Sequence, residues 1–229
     1  MRRVLFLIIC VFLLSTTLNC FAQQTDIRQF AAYYAYSYLN TSSLNLAQRG
    51  FDADVGYNVR PWLTMGFDFS YFTGQSTILP QHLNATTRAK LVPYMGLFPR
   101  GFQLTVPYAS SIYTYEAGPQ VNLRHFKHVT LFARPALGLL HANFEANPNP
   151  LVTPIVRGLL GGVTASTDNV VFYGFGGGVT WEITPHFGLR VASDMARYNF
   201  FSGLLNGSRN SVRLSIGTKI GFGKNIVRK

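Results

Sequence analysis

Cysteine is nearly missing from this chain. Of 229 residues only Cys10 and Cys20 are cysteines, and both precede residue 22. A chain that loses its first 22 residues can therefore form no disulfide and bind no metal through thiolates. Charge is scarce too: Asp, Glu, Lys and Arg make up 13% of the residues, against about a quarter in an ordinary soluble domain. Acids are the scarcer sign, nine against twenty bases, for a net charge of +11. Long apolar runs are also absent. The eleven residues Val4–Leu14 are the most continuous stretch, and a helix needs ~20 to cross a bilayer. A chain that is 48% hydrophobic and 14% aromatic, yet short of charge and without a spanning helix, fits a membrane-exposed β-protein, which crosses without one.

The amino terminus has the pattern of a secretory signal. Arg2 and Arg3 precede the apolar run, and Cys20-Phe21-Ala22 is a small-x-small cleavage site. The expected organisation is a signal peptide over 1–22 and one domain over 23–229. Loss of Arg2 and Arg3 takes the charge from +11 to +9. A lipid anchor on Cys20 is the rival reading, but Asn19 stands where that processing prefers a small residue.

What the chain has in quantity is alternation with a period of two, the signature of a strand with two different faces. The last strand, Ser211 to Phe222, sets Val212, Leu214, Ile216, Ile220 and Phe222 against Ser211, Arg213, Ser215, Gly217, Lys219 and Gly221. Leu63 to Tyr71 is the cleanest: Leu63, Met65, Phe67, Phe69 and Tyr71 alternate with Thr64, Gly66, Asp68 and Ser70. Similar segments run over 51–59, 113–123, 129–139, 171–181 and 187–195, with Pro135 weakening the fifth strand locally. A tyrosine-rich segment at 30–39 is a further strand whose two faces do not separate. Eight strands of ~9 to 11 residues match the smallest transmembrane barrels. The connections alternate as well: short at 60–61, 124–128 and 182–186, long at 40–49, 72–111, 140–169 and 199–210. The expected fold is all-β, an eight-stranded antiparallel up-and-down transmembrane β-barrel. Phe102–Val106 has room for an extra hairpin that would make ten strands.

Alternation does not say which face points inward. The polar face here carries Asp52, Asp54, Asp68, Glu116 and Asp194 against Arg134, Arg190, Arg213 and Lys219, separated by glycines and small residues. Near-balance of sign suits a packed lumen, where charges must be paired. These nine residues are the expected lumen charge network, structural or gating, and the aliphatic and aromatic face is assigned to lipid. Trp62, Trp181 and Phe187 near the turns, with Tyr71, Phe72 and Tyr113 near the long loops, are the expected aromatic girdles.

The A-Y-S-Y-L-N, N-V-R-P-W-L and G-F-D-F-S-Y-F runs at 35–40, 58–63 and 66–72, with the closing strand, resemble small bacterial outer-membrane β-barrel proteins of the opacity-protein and OmpA-transmembrane type. Ser215, Gly217, Ile220 and Phe222 are similar to the signal such barrels present to the barrel assembly machinery, although Gly223 to Lys229 follow it here. The resemblance implies a Gram-negative outer-membrane location. It also implies outer-membrane lipid, lipopolysaccharide and the assembly machinery as partners, a surface ligand met through the loops, and no nucleic acid. Members of that group act as adhesins, membrane-stabilising proteins or narrow channels. The leading expectation is thus a non-enzymatic barrel acting through its loops. A porin-like channel gated by Arg134, Glu116 and Arg190 is the first alternative, a soluble ligand-binding barrel the second.

No cofactor and no catalytic set are expected. His141-x-Asn143 resembles the His-x-Ser of a lipid A deacylase barrel, with Asn143 in place of the nucleophile. Gly174, Gly176, Gly177 and Gly178 fit no dinucleotide fingerprint, and His125 and His128 are turn residues.

Overall fold

The computed structural model describes residues 24–95, 102 and 104–227. The expected signal peptide, with Cys10 and Cys20, lies outside the described residues. Eight strands follow one another: β1 (Arg28–Thr41), β2 (Leu46–Arg60), β3 (Leu63–Ile78), β4 (Val106–Leu123), β5 (Val129–Ala146), β6 (Ala165–Glu182), β7 (Phe187–Tyr198) and β8 (Arg209–Asn225). Each pairs antiparallel with the next, and β1 with β8, so the sheet closes into a barrel without a free edge.

Alternation decides what each face meets. Val55, Phe67, Leu137, Val171, Phe175, Val191, Met195 and Ile216 stand out from the wall, each roughly half exposed. A soluble protein rarely shows contiguous apolar patches beyond a few hundred Å², and this band runs around the whole barrel. Its solvent is hydrocarbon, and a soluble barrel with an apolar ligand inside is the inverse of what is seen. Among the described residues no helix is long and apolar enough to cross a membrane; crossing is by strands, whose backbone groups are satisfied by their neighbours.

In β1 the inward side chains are Tyr33, Ala35, Ser37, Leu39 and Thr41, while Tyr34 and Tyr36 face out. Both faces carry tyrosine and alanine, so residue type alone could not separate them. Pairing with β2 and β8 does: Tyr33 stands opposite Asp54 on one side and Lys219 on the other.

The strands run further on the loop side than the alternation indicated. β3 continues to Ile78 and β5 to Ala146, while β4 starts at Val106 and β6 at Ala165. The long connections shrink from 72–111 to 79–105 and from 140–169 to 147–164, and the 40–49 loop becomes a four-residue turn. Above the lipid both faces of a strand are polar, as in Thr73-Gly74-Gln75-Ser76-Thr77, so the apolar contrast that marks a strand disappears. The extra hairpin does not form: Val106 opens β4, and Phe102, Leu104 and Thr105 lie outside any strand. The barrel has eight strands.

The loops are folded. Helix α1 (Ala85–Met95) starts at Asn84, whose side chain accepts the Thr87 N–H at 2.7 Å, and helix α2 (Thr153–Leu159) follows β5. Leu83, Leu91, Leu104, Val152, Ile155, Val156, Phe200 and Leu205 are buried together above the barrel mouth. A Leu83↔Leu205 bridge ties the first long loop to the last.

One stretch of wall is different. The β4–β5 ladder runs from Tyr108↔Ala146 to Glu116↔Gly138, then resumes in the same register at Val121↔Ala133. Continuing that register sets Pro119 opposite Pro135, and neither has an N–H to donate. The ladder between these two strands is therefore interrupted from Ala117 to Gln120.

A closed barrel of this kind should survive detergent until heated. On a detergent gel an unboiled sample should migrate apart from a boiled one; identical migration would contradict the closed ladder.

Candidate functional site

The lumen is built in three layers. At mid-height, six strands aim charged side chains inward: Asp52 and Asp54 from β2, Asp68 from β3, Glu116 from β4, Arg134 from β5, Arg190 and Asp194 from β7, and Arg213 from β8. All are buried. β6 contributes glycine instead. Gly176 lies between Arg134 and Asp194 in the pairing register, and a Cβ there would overlap the Asp194 carboxylate. The missing side chain is the space through which the Arg134 guanidinium reaches Asp194.

Two guanidinium groups organise this layer. Arg134 bonds Asp54 at 3.1 Å, Asp68 at 3.0 Å and Asp194 at 3.1 Å, with Glu116 at 3.8 Å. Arg213 bonds Asp194 at 2.8 Å and Asp68 at 3.0 Å, donates to Ser70 at 2.5 Å, and has Glu116 at 3.5 Å and Asp52 at 3.9 Å. Arg190 is held differently: it donates to Thr180 at 3.0 Å, approaches Asp54 at 3.7 Å, and stacks over the rings of Tyr33 and Phe132. Lys219 is not part of this cluster. Its ammonium lies 2.5 Å from Glu182, nearer the turns.

Glu182 and Lys219 belong to the turn-side layer, with Gln24, Asn58, Thr64, Gln120, Asn122, Arg124 and Thr130. Arg124 donates to the Pro61 carbonyl at 2.8 Å, to Gln24 and Asn58 at 3.3 Å each, and has Glu182 at 3.9 Å. Burial pulls its guanidinium down to about 10, Glu182 opposes that shift, and Arg190 adds to it. The Gln24 amide donates to Thr130 at 3.1 Å and to the Phe126 carbonyl at 3.2 Å, stoppering the mouth. Outside this layer opens a vestibule of about 510 Å³.

The loop-side layer is apolar. Leu39, Phe72, Ile112, Ala136, Leu140, Phe172, Tyr198 and Phe200 fill the lumen and merge with the loop cap, tied by Thr41···Tyr198 at 2.9 Å and Gln48 to Ser110 at 3.0 Å. Phe72, expected in the outer aromatic girdle, is 1% exposed and points inward; it follows Tyr71, and successive strand residues face opposite ways. The cavities left inside the lumen are small, about 30 Å³ each at the level of the ion layer and just above it.

The other sequence-derived residues fall as follows. Trp62 and Trp181 are more than half exposed, and Phe187 is exposed near the turns; Tyr71 and Tyr113 are neighbours on the outer wall with rings 4.7 Å apart. In β8, Ser215 faces inward and meets Ser37 at 2.7 Å, and Gly217 packs against Ala35. Ile220 and Phe222 face out, with Phe222 stacked on Phe30 at 5.5 Å. His141 binds Asn169 through Nδ1 at 2.6 Å. In the first long loop, burial and then the charge of Arg209 lower the His82 imidazole below its usual range, and its Nδ1 accepts the Leu79 N–H at 3.3 Å. Among the described residues no group of three or more His, Cys, Asp and Glu side chains is arranged to hold a metal ion.

Arg124 and Glu182 escaped the sequence reading, although parity marks them: Arg124 continues the inward series Gln120, Asn122, and Glu182 the series Gly178, Thr180. Each stands at the edge of a short connection, 124–128 or 182–186, where the alternation gives way to turn residues.

No protein-family model matches the chain, and no curated protein matches it. Solved structures do. OprG, an outer-membrane protein of Pseudomonas aeruginosa, is 10% identical over 89% of this chain and 100% of its own, with a TM-score of 0.50. Neisserial surface protein A is 15% identical over 84% of this chain and 96% of its own, with a TM-score of 0.49. Ail of Yersinia pestis is 14% identical over 83% and 96%, with a TM-score of 0.43. At these identities the likeness is one of fold. The chain has the small eight-stranded barrel fold of outer-membrane proteins.

Because Arg134 is shared by three carboxylates, Arg134→Met should cost about 3–5 kcal/mol of stability, the range for breaking a buried ion pair. Arg28→Met removes a partly exposed pair with Asp26 and should cost less than about 1 kcal/mol. Gly176→Ala should behave like the first, by pushing Asp194 away. Urea unfolding in detergent measures all three; equal losses for Arg134→Met and Arg28→Met would refute the role given to the ion layer.

Proposed function

We propose that this protein is a non-enzymatic barrel of the outer membrane that presents a folded loop cap at the cell surface, and that the cap is its working part. The observation that carries this reading is the contrast between lumen and loops. The lumen is lined at every level by packed side chains, the Arg124 polar plug, the ion layer and the Phe72–Phe200 apolar layer, and the cavities inside it are about 30 Å³ each. The loops, in contrast, bury their own apolar side chains and keep a defined shape, which lowers the ordering cost of recognition.

The chemistry of the cap indicates its surroundings. Arg88 and Lys90 on α1 and Arg157 on α2 are exposed, and Arg49 and Arg197 are exposed at the outer ends of β2 and β7, against Glu145 and the half-buried Asp168. Asp168 is already engaged by the Phe201 N–H at 2.5 Å. A mainly basic rim beside apolar side chains such as Val92 and Leu151 suits phosphorylated glycolipid, attracted by charge and held by packing. Lipopolysaccharide is therefore the proposed immediate neighbour of the cap.

Charge reversal of Arg88, Lys90 and Arg157 together should weaken binding of the purified barrel to lipopolysaccharide at least several-fold and flatten its salt dependence, with the heat-shifted band unchanged. Equal binding by the variant would sink the role of the cap. In planar bilayers the wild-type protein should be silent; a steady conductance would favour the narrow-channel alternative.

A further inference from the structure

The central ion layer does not balance. It holds five carboxyl groups, Asp52, Asp54, Asp68, Glu116 and Asp194, and three guanidinium groups, Arg134, Arg190 and Arg213. Taken as fully ionised, it would carry two uncompensated negative charges among buried side chains. The pairing register makes this worse, since Asp54 faces Asp68 and Asp68 faces Glu116 across adjacent strands, and like charges directly opposite repel.

The geometry identifies which two carboxyls are surplus. Asp54, Asp68 and Asp194 each have a guanidinium nitrogen at about 3 Å. Asp52 and Glu116 do not: their nearest guanidinium contacts are 3.9 Å for Asp52 and 3.5 Å for Glu116. Asp52 is 0% exposed, and its Oδ2 has no hydrogen-bond partner while Ser70 reaches Oδ1 only at 3.5 Å. A negative charge so poorly partnered at such depth is costly, and a proton on the carboxyl removes that charge. A metal ion would need converging ligands, and no such grouping exists among the described residues.

We propose that the lumen is a proton-binding site: Asp52 and Glu116 carry a proton each at neutral pH, making the layer neutral with its three arginines. The charged groups around these two acids are already engaged, Arg124 on the turn side among them, held by Glu182, Gln24, Asn58 and the Pro61 carbonyl. Tyr33 of β1, Asp68 of β3 and Asp194 of β7 add no positive charge; Arg134 and Arg213 are committed to the three tightly bound aspartates, Arg190 is taken by Thr180, Asp54 and two rings, and β6 offers only glycine at this height. Lys219 is held by Glu182. In the unfolded chain both acids ionise near pH 4, so the folded barrel binds more protons than the unfolded one at neutral pH. Its stability must then fall as pH rises until the two protons are lost. Deprotonation would put two charges into a layer that has nothing to pair them with, which loosens the plug. The inference does not depend on what the loop cap binds.

Infrared spectroscopy of the wild-type barrel in deuterated buffer tests this directly. At neutral pH the spectrum should contain the carbonyl band of protonated carboxylic acid, disappearing reversibly on alkalinisation. The band should be lost in Asp52→Asn/Glu116→Gln. The heat-shift midpoint of the wild type should drop from neutral to mildly alkaline conditions, and that drop should vanish in the double variant. A wild-type spectrum without the band at neutral pH, a band that persists in a folded double variant, or equal pH slopes for the two proteins would each overturn the proposal. Should the double variant not fold, the wild-type band and its pH dependence decide alone.

Discussion

The middle of this barrel is arranged around guanidinium groups that keep their charge although they are buried. Arg134 and Arg213 together touch side chains from four other strands or from each other's ligands, Asp54, Asp68 and Asp194 being the inner circle. A buried arginine requires acids close by, the acids require inward positions on neighbouring strands, and the guanidinium planes require room. That room is Gly176, whose absent side chain is as much a part of the ion layer as any carboxylate. The eight-stranded wall just fits side chains inside it, so pairing, spacing and closure of the sheet have one solution.

The layers above and below relieve the middle. Toward the turns the lumen changes to amides, hydroxyls and the Arg124–Glu182–Lys219 group, which can accept a wet boundary. Toward the loops it changes to Phe72, Leu140, Phe172 and Phe200, which exclude water from above. The apolar layer continues without a break into the loop cap, so barrel and cap share one hydrophobic unit. A cap anchored in this way keeps its shape, where a loose loop of the same length would sample many conformations.

How much of this could be read from the residues depends on which solvent each face meets. Between Leu63 and Tyr71 one face meets lipid and the other the lumen, and alternation alone locates strand, parity and the inward Asp68. From Thr73 onward both faces are polar, so the strand continues to Ile78 without a signal and the loop looks longer than it is. In β1, tyrosines serve both an outward surface and the inward cradle of Arg190, and only the partners on either side decide between them. The inward acids and bases were legible as a set because they share a parity. Their distances were not, and neither was the separation of Lys219, which sits two positions from Gly217 toward the turns and so meets Glu182 instead of the central acids. Arg124 and Glu182 were obscured by their position at strand ends, where parity is usually abandoned too early.

The opposed prolines of β4 and β5 give the wall a mechanical asymmetry. The seam at which the two ends of the chain meet, β1 with β8, is laddered from Asn40↔Val212 down to Phe30↔Phe222. Diametrically across the ring, Pro119 and Pro135 interrupt the ladder. With neither proline donating an N–H, the wall lacks its cross-strand hydrogen bonds over Ala117 to Gln120, on the side opposite the seam where the chain's two ends meet.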